Sequence, residues 1–411
     1  MKRRNFISSA CGALSLSALS GGCSFMGALP DSRGLVDTPA RRAAYLARML
    51  KELCTDLGPH PVGSPTFQRA AKIVRREMAH ALPSAMHDPF TFERWVLNGK
   101  PELTVGGKKL ETFPAHGTSG TPPEGIKGIV RKIEDDGGIP YGVFDRDTGK
   151  LVAYITTGRY ELAVPLPYYS YKKTVRSLPT FNVGRVDVPV IDKAVAESAP
   201  VWLFAQVEFL PGTKTSNVVG TLPGESAEEL VFLAHLDTVY NSPGANDNTA
   251  SVIVMLMIAH AFSGRRPKKT LTFVATEGEE YDKLGAINYA ERRKREGTFE
   301  NIDYIVNFDS LTWGQNLQIY SRDRELMAMI EGIDRDLGLP GTPVLFETDD
   351  FKLDARPFRE TGARAMYVNS RGYENTRVWH RPEDTVDTVP VECAELGYRM
   401  FVELTRRICE L

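Results

Sequence analysis

Three times in the second half of the chain a short apolar run stops on residues that bind metals or protons. Leu230-Val-Phe-Leu-Ala runs into His235, Thr270-Leu-Thr-Phe-Val-Ala-Thr into Glu277-Gly-Glu-Glu280, and Tyr304-Ile-Val-Asn-Phe into Asp309. Runs of this length bounded by turn residues predict buried strands. Val252 to Phe262 is apolar on every side and predicts a buried helix. The loop between the first strand and this helix is long and carries His235, Asp237 and Asp247, and a long ordered loop calls for a functional reason. Earlier in the chain, Thr38 to Cys54 and Ser64 to Leu82 have helical periodicity and are joined by the turn-rich Leu57-Gly-Pro-His-Pro-Val-Gly-Ser. Between about Pro89 and Pro211 the pattern becomes short alternating runs broken by Gly, Pro and Asp, which predicts a mainly β segment. After Ser216 strand and helix alternate, the sign of an α/β fold with a mixed, largely parallel central sheet covered by helices on both faces.

Composition narrows the partners. A chain of 411 residues with 42 % hydrophobic and 25 % charged positions can build a large core, which excludes a disordered tail. Its formal charge of -2 comes without a basic tract, so no nucleic-acid partner is expected. The first 22 residues read as a signal peptide, with paired arginines in Met1-Lys-Arg-Arg-Asn-Phe-Ile and a small-residue stretch from Ser8 to Gly22. Residues 23–34 read as a linker. The paired arginines resemble a twin-arginine signal, and Leu19-Ser-Gly-Gly-Cys23 resembles, with its apolar residue one place too far away, a bacterial lipoprotein cleavage box. Export to the bacterial cell envelope is therefore expected, as a periplasmic protein or one held to the membrane only by a lipid on Cys23. Three cysteines remain in the body, Cys54, Cys393 and Cys409; that odd count leaves at least one free thiol and room for one disulfide in an oxidising compartment.

In open α/β sheets the working crevice lies beyond the carboxyl ends of the strands, so His235, the acids at 277–280 and Asp309 can meet there. Val378-Trp-His380-Arg-Pro-Glu-Asp adds a histidine entering a turn. An isolated histidine or aspartate at a strand end is ordinarily a solvated loop residue. An ordered set of five with flanking motifs is not. HLD, the PGANDN whose Asp lies twelve residues after the His, GEEYDKLGA, NFDS and HRPEDTVDT together resemble the dizinc aminopeptidase family of zinc exopeptidases, which includes bacterial leucyl aminopeptidases. LGPHPVGSP resembles the opening of that family's catalytic domain. The resemblance covers residues 35–90 and 209–411, expected to form the catalytic domain with the zinc exopeptidase fold. The β-rich residues 91–208 are more weakly similar to the family's protease-associated insert.

The resemblance implies two Zn2+ per chain. Asp247 would bridge them, His235 and Asp309 completing one set and Glu280 and His380 the other, a mix of imidazole and carboxylate donors that suits catalytic zinc. Without cations, so many carboxylates in one crevice would repel one another and rise in pKa. Glu279 would be the general base toward the attacking water, and Asp237 would orient His235. The Asp247–Asn248 peptide is expected to be cis. Glu277 is ambiguous, and His60, His80, His87, His116 and His260 have no context beyond structural or surface roles. The family's Ser-Asp-x-x-Pro-Phe segment stands here as Leu353-Asp-Ala-Arg-Pro-Phe, so Asp354 aligns as a substrate-side residue while its polar neighbour is lost. Tyr373 is a candidate replacement for a family tyrosine near the oxyanion. Arg371, Arg377 and Arg381 around His380 are candidates to anchor a substrate carboxylate, or else form an ion-pair network with Glu374, Glu383 or Asp384.

The expected function is an exported zinc exopeptidase acting on peptide substrates, foremost an aminopeptidase. The alternatives are carboxypeptidase or dipeptidase action at the same site, a single-zinc glutaminyl cyclase, and a non-catalytic binding module. The absence of HExxH and GxSxG argues against thermolysin-like and serine hydrolases. The oligomeric state is not readable from the sequence.

Overall fold

A computed structural model of the chain describes residues 31–410 apart from 134–138, 158–159, 167–176, 349, 351–352 and 371–376. The readings of the N-terminal signal and Cys23, and the candidates Arg371 and Tyr373, fall outside the described residues. The two early helical periods are helices Pro39–Leu50, continued by a wider turn over Lys51–Asp56, and Pro65–Ala81. Each starts with Pro at its first position behind a hydroxyl cap: Thr38 accepts from the Arg41 N–H and Ser64 from the Phe67 N–H, satisfying donors that the helix cannot.

In chain order the strands are β1 (Ser84–Val105), β2 (Lys108–Leu110), β3 (Phe113–Pro114), β4 (Ile126–Lys132), β5 (Tyr141–Phe144), β6 (Leu151–Thr157) and β7 (Thr180–Val183). They continue with β8 (Pro200–Leu222), β9 (Ser226–His235), β10 (Lys269–Thr276), β11 (Ile302–Phe308), β12 (Leu317–Ser321), β13 (Val344–Glu347) and β14 (Arg364–Ser370). All belong to one sheet with the path β13-β12-β14-β11-β9-β10-β8-β4-β5-β6-β7-β3, β1 pairing with β8 and β2 with β1. The centre, β10-β9-β11-β14, is parallel, while β8 and β12 run antiparallel to β10 and β14. From β8 to β13 along this path the sheet is mixed and largely parallel, as the alternation of elements predicts, while the strands of residues 84–222 pair mostly antiparallel.

Helices cover both faces because β9 alternates with period two. Leu230, Phe232 and Ala234 pack into the core formed with helices Pro39–Leu50, Pro65–Ala81, Ala250–Ala261 and Val391–Cys409. Val231 and Leu233 face the opposite way, against Ala286, Tyr289 and Ala290 of helix Leu284–Arg295 and against Phe358. Residues 250–260 are all buried, as a helix apolar on every side requires.

Residues 103–205 build a second core from Leu103, Val105, Val143, Ile155, Phe181, Val201 and Leu203. No flexible linker joins this β-rich lobe to the rest: β1 and β8 run antiparallel through both cores, from Ser84 opposite Thr221 to Val105 opposite Val201, with irregularities at Phe92/Arg94 and Asn98/Glu102. Positions 91 and 208 therefore lie inside strands. Cys54, Cys393 and Cys409 are all free and buried, so the disulfide for which the sequence left room does not form among them. Burial pushes the Cys54 thiol up to about 12 and the other two to about 11, which makes them small apolar residues rather than reactive thiols.

Candidate metal centre

Parallel strands β9, β10 and β11 end side by side, which delivers His235, the 277–280 turn and Asp309 to one crevice. Asp247 reaches it from the loop leading into helix Ala250–Ala261. Its Oδ1 lies 3.3 Å from His235 Nε2 and its Oδ2 3.5 Å from His380 Nε2, so one carboxylate stands between two imidazoles. Asp309 Oδ2 is 3.8 Å from His235 Nε2, and Glu280 Oε1 is 2.9 Å from His380 Nε2. Donor atoms of His235, Asp247 and Glu280, and separately those of His235, Glu279 and Asp309, lie within 4.8 Å of one another. The structure thus brings together all five residues of the expected ligand set and Glu279.

Both histidines have their tautomer set by the backbone. His235 Nδ1 is 3.0 Å from the Asp237 carbonyl oxygen and His380 Nδ1 is 2.9 Å from that of Pro165. A carbonyl can only accept, so each Nδ1 carries a proton and each Nε2 can offer a lone pair into the crevice.

The loop that carries Asp247 is held from three sides. The peptide Asp247–Asn248 is cis. Asp384, fully buried, accepts from the Asn246 N–H at 2.9 Å, the Asp247 N–H at 3.1 Å and the Asn246 side chain at 2.9 Å. The Asn248 side chain donates to the Phe308 carbonyl at 3.0 Å and accepts from the Ser310 N–H at 2.9 Å, locking the loop to the end of β11 next to Asp309. Gly244, at φ 62°, is required here: a Cβ would lie 2.4 Å from Thr238 Cγ2 and 2.5 Å from the Asp247 carbonyl oxygen.

The acidic turn is held just as tightly. Asp237 Oδ1 accepts from the N–H groups of Gly278 at 2.8 Å and Glu279 at 3.1 Å, and Oδ2 from that of Glu280 at 3.3 Å. The Asp237 carboxylate therefore positions the backbone of Glu279 and Glu280; toward His235 Nδ1 its carbonyl is the hydrogen-bond acceptor at 3.0 Å, with the carboxylate Oδ1 at 3.7 Å. Glu277 is a structural acid, accepting from the Gly63 N–H at 2.6 Å, the Ser216 N–H at 3.2 Å and the Thr215 hydroxyl. It fastens the LGPHPVGSP segment to β8 and the turn.

Glu279 differs from its neighbours. Its Oε1 is buried without a hydrogen-bond partner and sits 3.6 Å from the Lys283 ammonium. Burial, with help from Asp309 and Glu280, lifts its pKa to about 7 against the pull of Lys283 and His235. Burial likewise lifts Asp309 and Asp354 to about 6 and Asp237 to about 8. Burial would raise Asp247 too, but hydrogen bonds from His235 and His380 hold it below the usual carboxylate range. Burial alone would lower the two histidines; Asp247 in one case and Glu280 with Asp247 in the other raise both above the ordinary imidazole value. The set as it stands retains protons where cations would satisfy it, and two Nε2 atoms among four carboxylates suit a borderline-soft divalent ion such as zinc.

The remaining candidates fall elsewhere. Asp354 is fully buried and accepts from the Thr276 hydroxyl, beneath the site. Arg377 pairs with Glu161 at 2.7 Å and Arg381 with Glu111 at 2.9 Å and Glu383 at 3.2 Å. The network reading of these arginines is favoured, and two of its acids come from the β-rich lobe. Sequence reasoning missed Lys283 and the anchoring by Asp384, while His116, expected to be structural or on the surface, is buried among Trp95 and Tyr281 at ring separations of 5.0 and 4.7 Å. His116 lies in the β segment, far from any motif, and carried no sequence signal.

Residues 217–401 match the model of Peptidase family M28. The chain is 21 % identical over 379 residues to Aminopeptidase YwaD of Bacillus subtilis, covering 85 % of this chain and 81 % of the relative. It is 25 % identical over 305 residues to the Probable lipoprotein aminopeptidase LpqL of Mycobacterium tuberculosis, covering 68 % and 60 %. The solved structure of a peptidase M28 precursor from Shewanella amazonensis shares the fold at a TM-score of 0.74 and 18 % identity, over 91 % of this chain and 96 % of that one. The ordered motifs, the sheet whose strand ends gather them and the family match agree over residues 217–401, the part of the chain that is similar to peptidase family M28.

Proposed function

We propose that the chain is an exported dizinc aminopeptidase. The observation that carries this reading is Asp247 between two histidines whose Nε2 atoms both face it, with an acid beyond each: Asp309 past His235 and Glu280 past His380. His235, Asp309 and Asp247 would hold one ion; Glu280, His380 and Asp247 the other. Bound there, the zinc ions supply Lewis acidity, making a water nucleophilic and polarising the scissile carbonyl.

Glu279 takes the proton of the attacking water and delivers it to the leaving amine. Its place fits the task, since it is buried beside Glu280 and its Oε1 has no hydrogen-bond partner to occupy the lone pair that receives a proton. Asp237, through three amide hydrogen bonds, keeps Glu279 beside its ligand neighbour. Lys283 restrains how far the base rises. Aminopeptidase action is favoured by the names of the relatives YwaD and LpqL, and the latter's name also favours attachment to the envelope.

The zinc-loaded chain should release N-terminal residues from C-terminally amidated peptides, lose this activity to a chelator and regain it with zinc. Cleavage only of N-acetylated peptides with free C-termini would replace the reading by carboxypeptidase action. Cyclisation of N-terminal glutamine with one zinc per chain would replace it by the cyclase.

The metal-free protein should also grow less stable as pH rises. An unfolded chain ionises its carboxylates near about pH 4. The folded chain holds protons on Glu279 to about 7, on Asp309 to about 6 and on Asp237 to about 8. His235 and His380, raised above their unfolded value, act in the same direction above about pH 6.5. Between pH 5 and 8 the folded state therefore binds more protons, and each extra one removes about 1.4 kcal/mol of stability per pH unit. Melting of chelator-treated protein should move down across this range, and the gap to the zinc-loaded form should widen. A metal-free midpoint that is flat or rises with pH contradicts the assignment.

A further inference from the structure

The metal ligand His380 owes its placement to the β-rich lobe. Its Nδ1 donates to Pro165, a residue of the lobe, at 2.9 Å. The backbone of His380 itself is left-handed, at φ 58°, a conformation that a histidine holds only when its surroundings impose it. Those surroundings are again from the lobe. Trp379 is stacked between the His380 ring, at 3.4 Å between centroids, and the Tyr160 ring, at 4.4 Å. Arg381, its side chain 6 % exposed, donates to the Ala163 carbonyl at 2.7 Å and forms a two-point pair with Glu111 at 2.9 and 3.1 Å. Arg377 pairs with Glu161.

On its other side the 160–166 segment is fixed to the lobe. The Val164 N–H donates to the Asn182 side chain at 2.9 Å, and the Leu166 carbonyl accepts from the His116 N–H at 3.1 Å. His235, by contrast, takes its orienting carbonyl from Asp237, on its own loop. The two halves of the centre are thus supported by different parts of the molecule.

We propose that the 160–166 segment of the lobe, clamped by the Arg381–Glu111 pair, is the positioning element for one metal site only, the one built on Glu280 and His380. The inference rests on the dizinc reading. Partners that orient a ligating imidazole typically change metal affinity by about 10–100-fold. Arg381 and Glu111 are therefore positioning residues, and a lobe that shifts would loosen one ion while leaving the other at His235 and Asp309.

The test is zinc stoichiometry and affinity of the full chain, measured by native mass spectrometry and by competition with a chelator of known strength. Glu111→Gln is suitable because the Glu111 side chain is 46 % exposed and the buried Arg381 guanidinium keeps Glu383 and the Ala163 carbonyl as partners. Arg381→Lys keeps the charge but removes the two-point fork. Both variants should keep one zinc at wild-type affinity and hold the second about 10–100-fold more weakly. Glu102→Gln, which breaks an exposed lobe pair with Lys109, should keep both zincs at wild-type affinity. Unchanged binding of both ions in Glu111→Gln and Arg381→Lys overturns the inference, as does an equal weakening of both, which signals general loosening. A wild-type chain that holds fewer than two zincs removes the dizinc reading itself, and this inference with it.

Discussion

Glu279→Gln is expected to lower kcat by about 10²–10⁴-fold while the zinc content stays at the wild-type value. Glutamine fills the same space, so the turn held by Asp237 through the 278–280 amides should persist. What disappears is the proton-accepting oxygen, and with it the carrier between water and leaving amine. If Glu279 acts as the base and not as a metal ligand, its loss should spare KM more than kcat, the pattern for an interaction made in the transition state. Near wild-type turnover would assign the base to another group. Loss of metal in this variant would make Glu279 a ligand instead, an outcome that its closeness to His235 and Asp309 makes worth measuring.

Asp247→Ala should abolish measurable activity and reduce zinc from two per chain toward none. Among the described residues no other carboxylate offers one oxygen to each histidine. The alanine also removes the anion that raises both imidazoles and leaves a gap at the centre of the cluster. The loop itself should survive, since Asp384 grips the backbone N–H groups of residues 246 and 247 rather than the lost carboxylate. Circular dichroism should therefore report a folded chain with metal analysis showing the loss. Two tightly held zincs in this variant would refute the bridging role.

Much of the fold was legible because the signals were local. The caps at Thr38 and Ser64, the apolar helix after the Asp247 loop and the strands ending at His235, Thr276 and Phe308 follow from period, hydroxyl caps and strand length alone. The β-rich stretch was legible as β, yet its continuation through β1 and β8 was not. Alternation tells which face a residue takes but not which distant strand it pairs with.

The candidate site divides in the same way. Sequence by itself determined which residue types stand at strand ends and in what order, since a buried run stops where a polar ligand begins. Only the tertiary structure decided what each polar group touches. Glu277 reaches Gly63, 214 residues away in sequence, and so became structural. Arg381 reaches Glu111, 270 residues away, rather than waiting for a substrate carboxylate. His380 takes its orienting carbonyl from Pro165, 215 residues away. Cys54, Cys393 and Cys409 are buried separately in packed helices and do not pair. The physical reason is common to all four: a backbone period constrains neighbours within a turn or a strand, whereas hydrogen bonds, ion pairs and disulfides depend on side-chain distances that exist only once distant elements have packed.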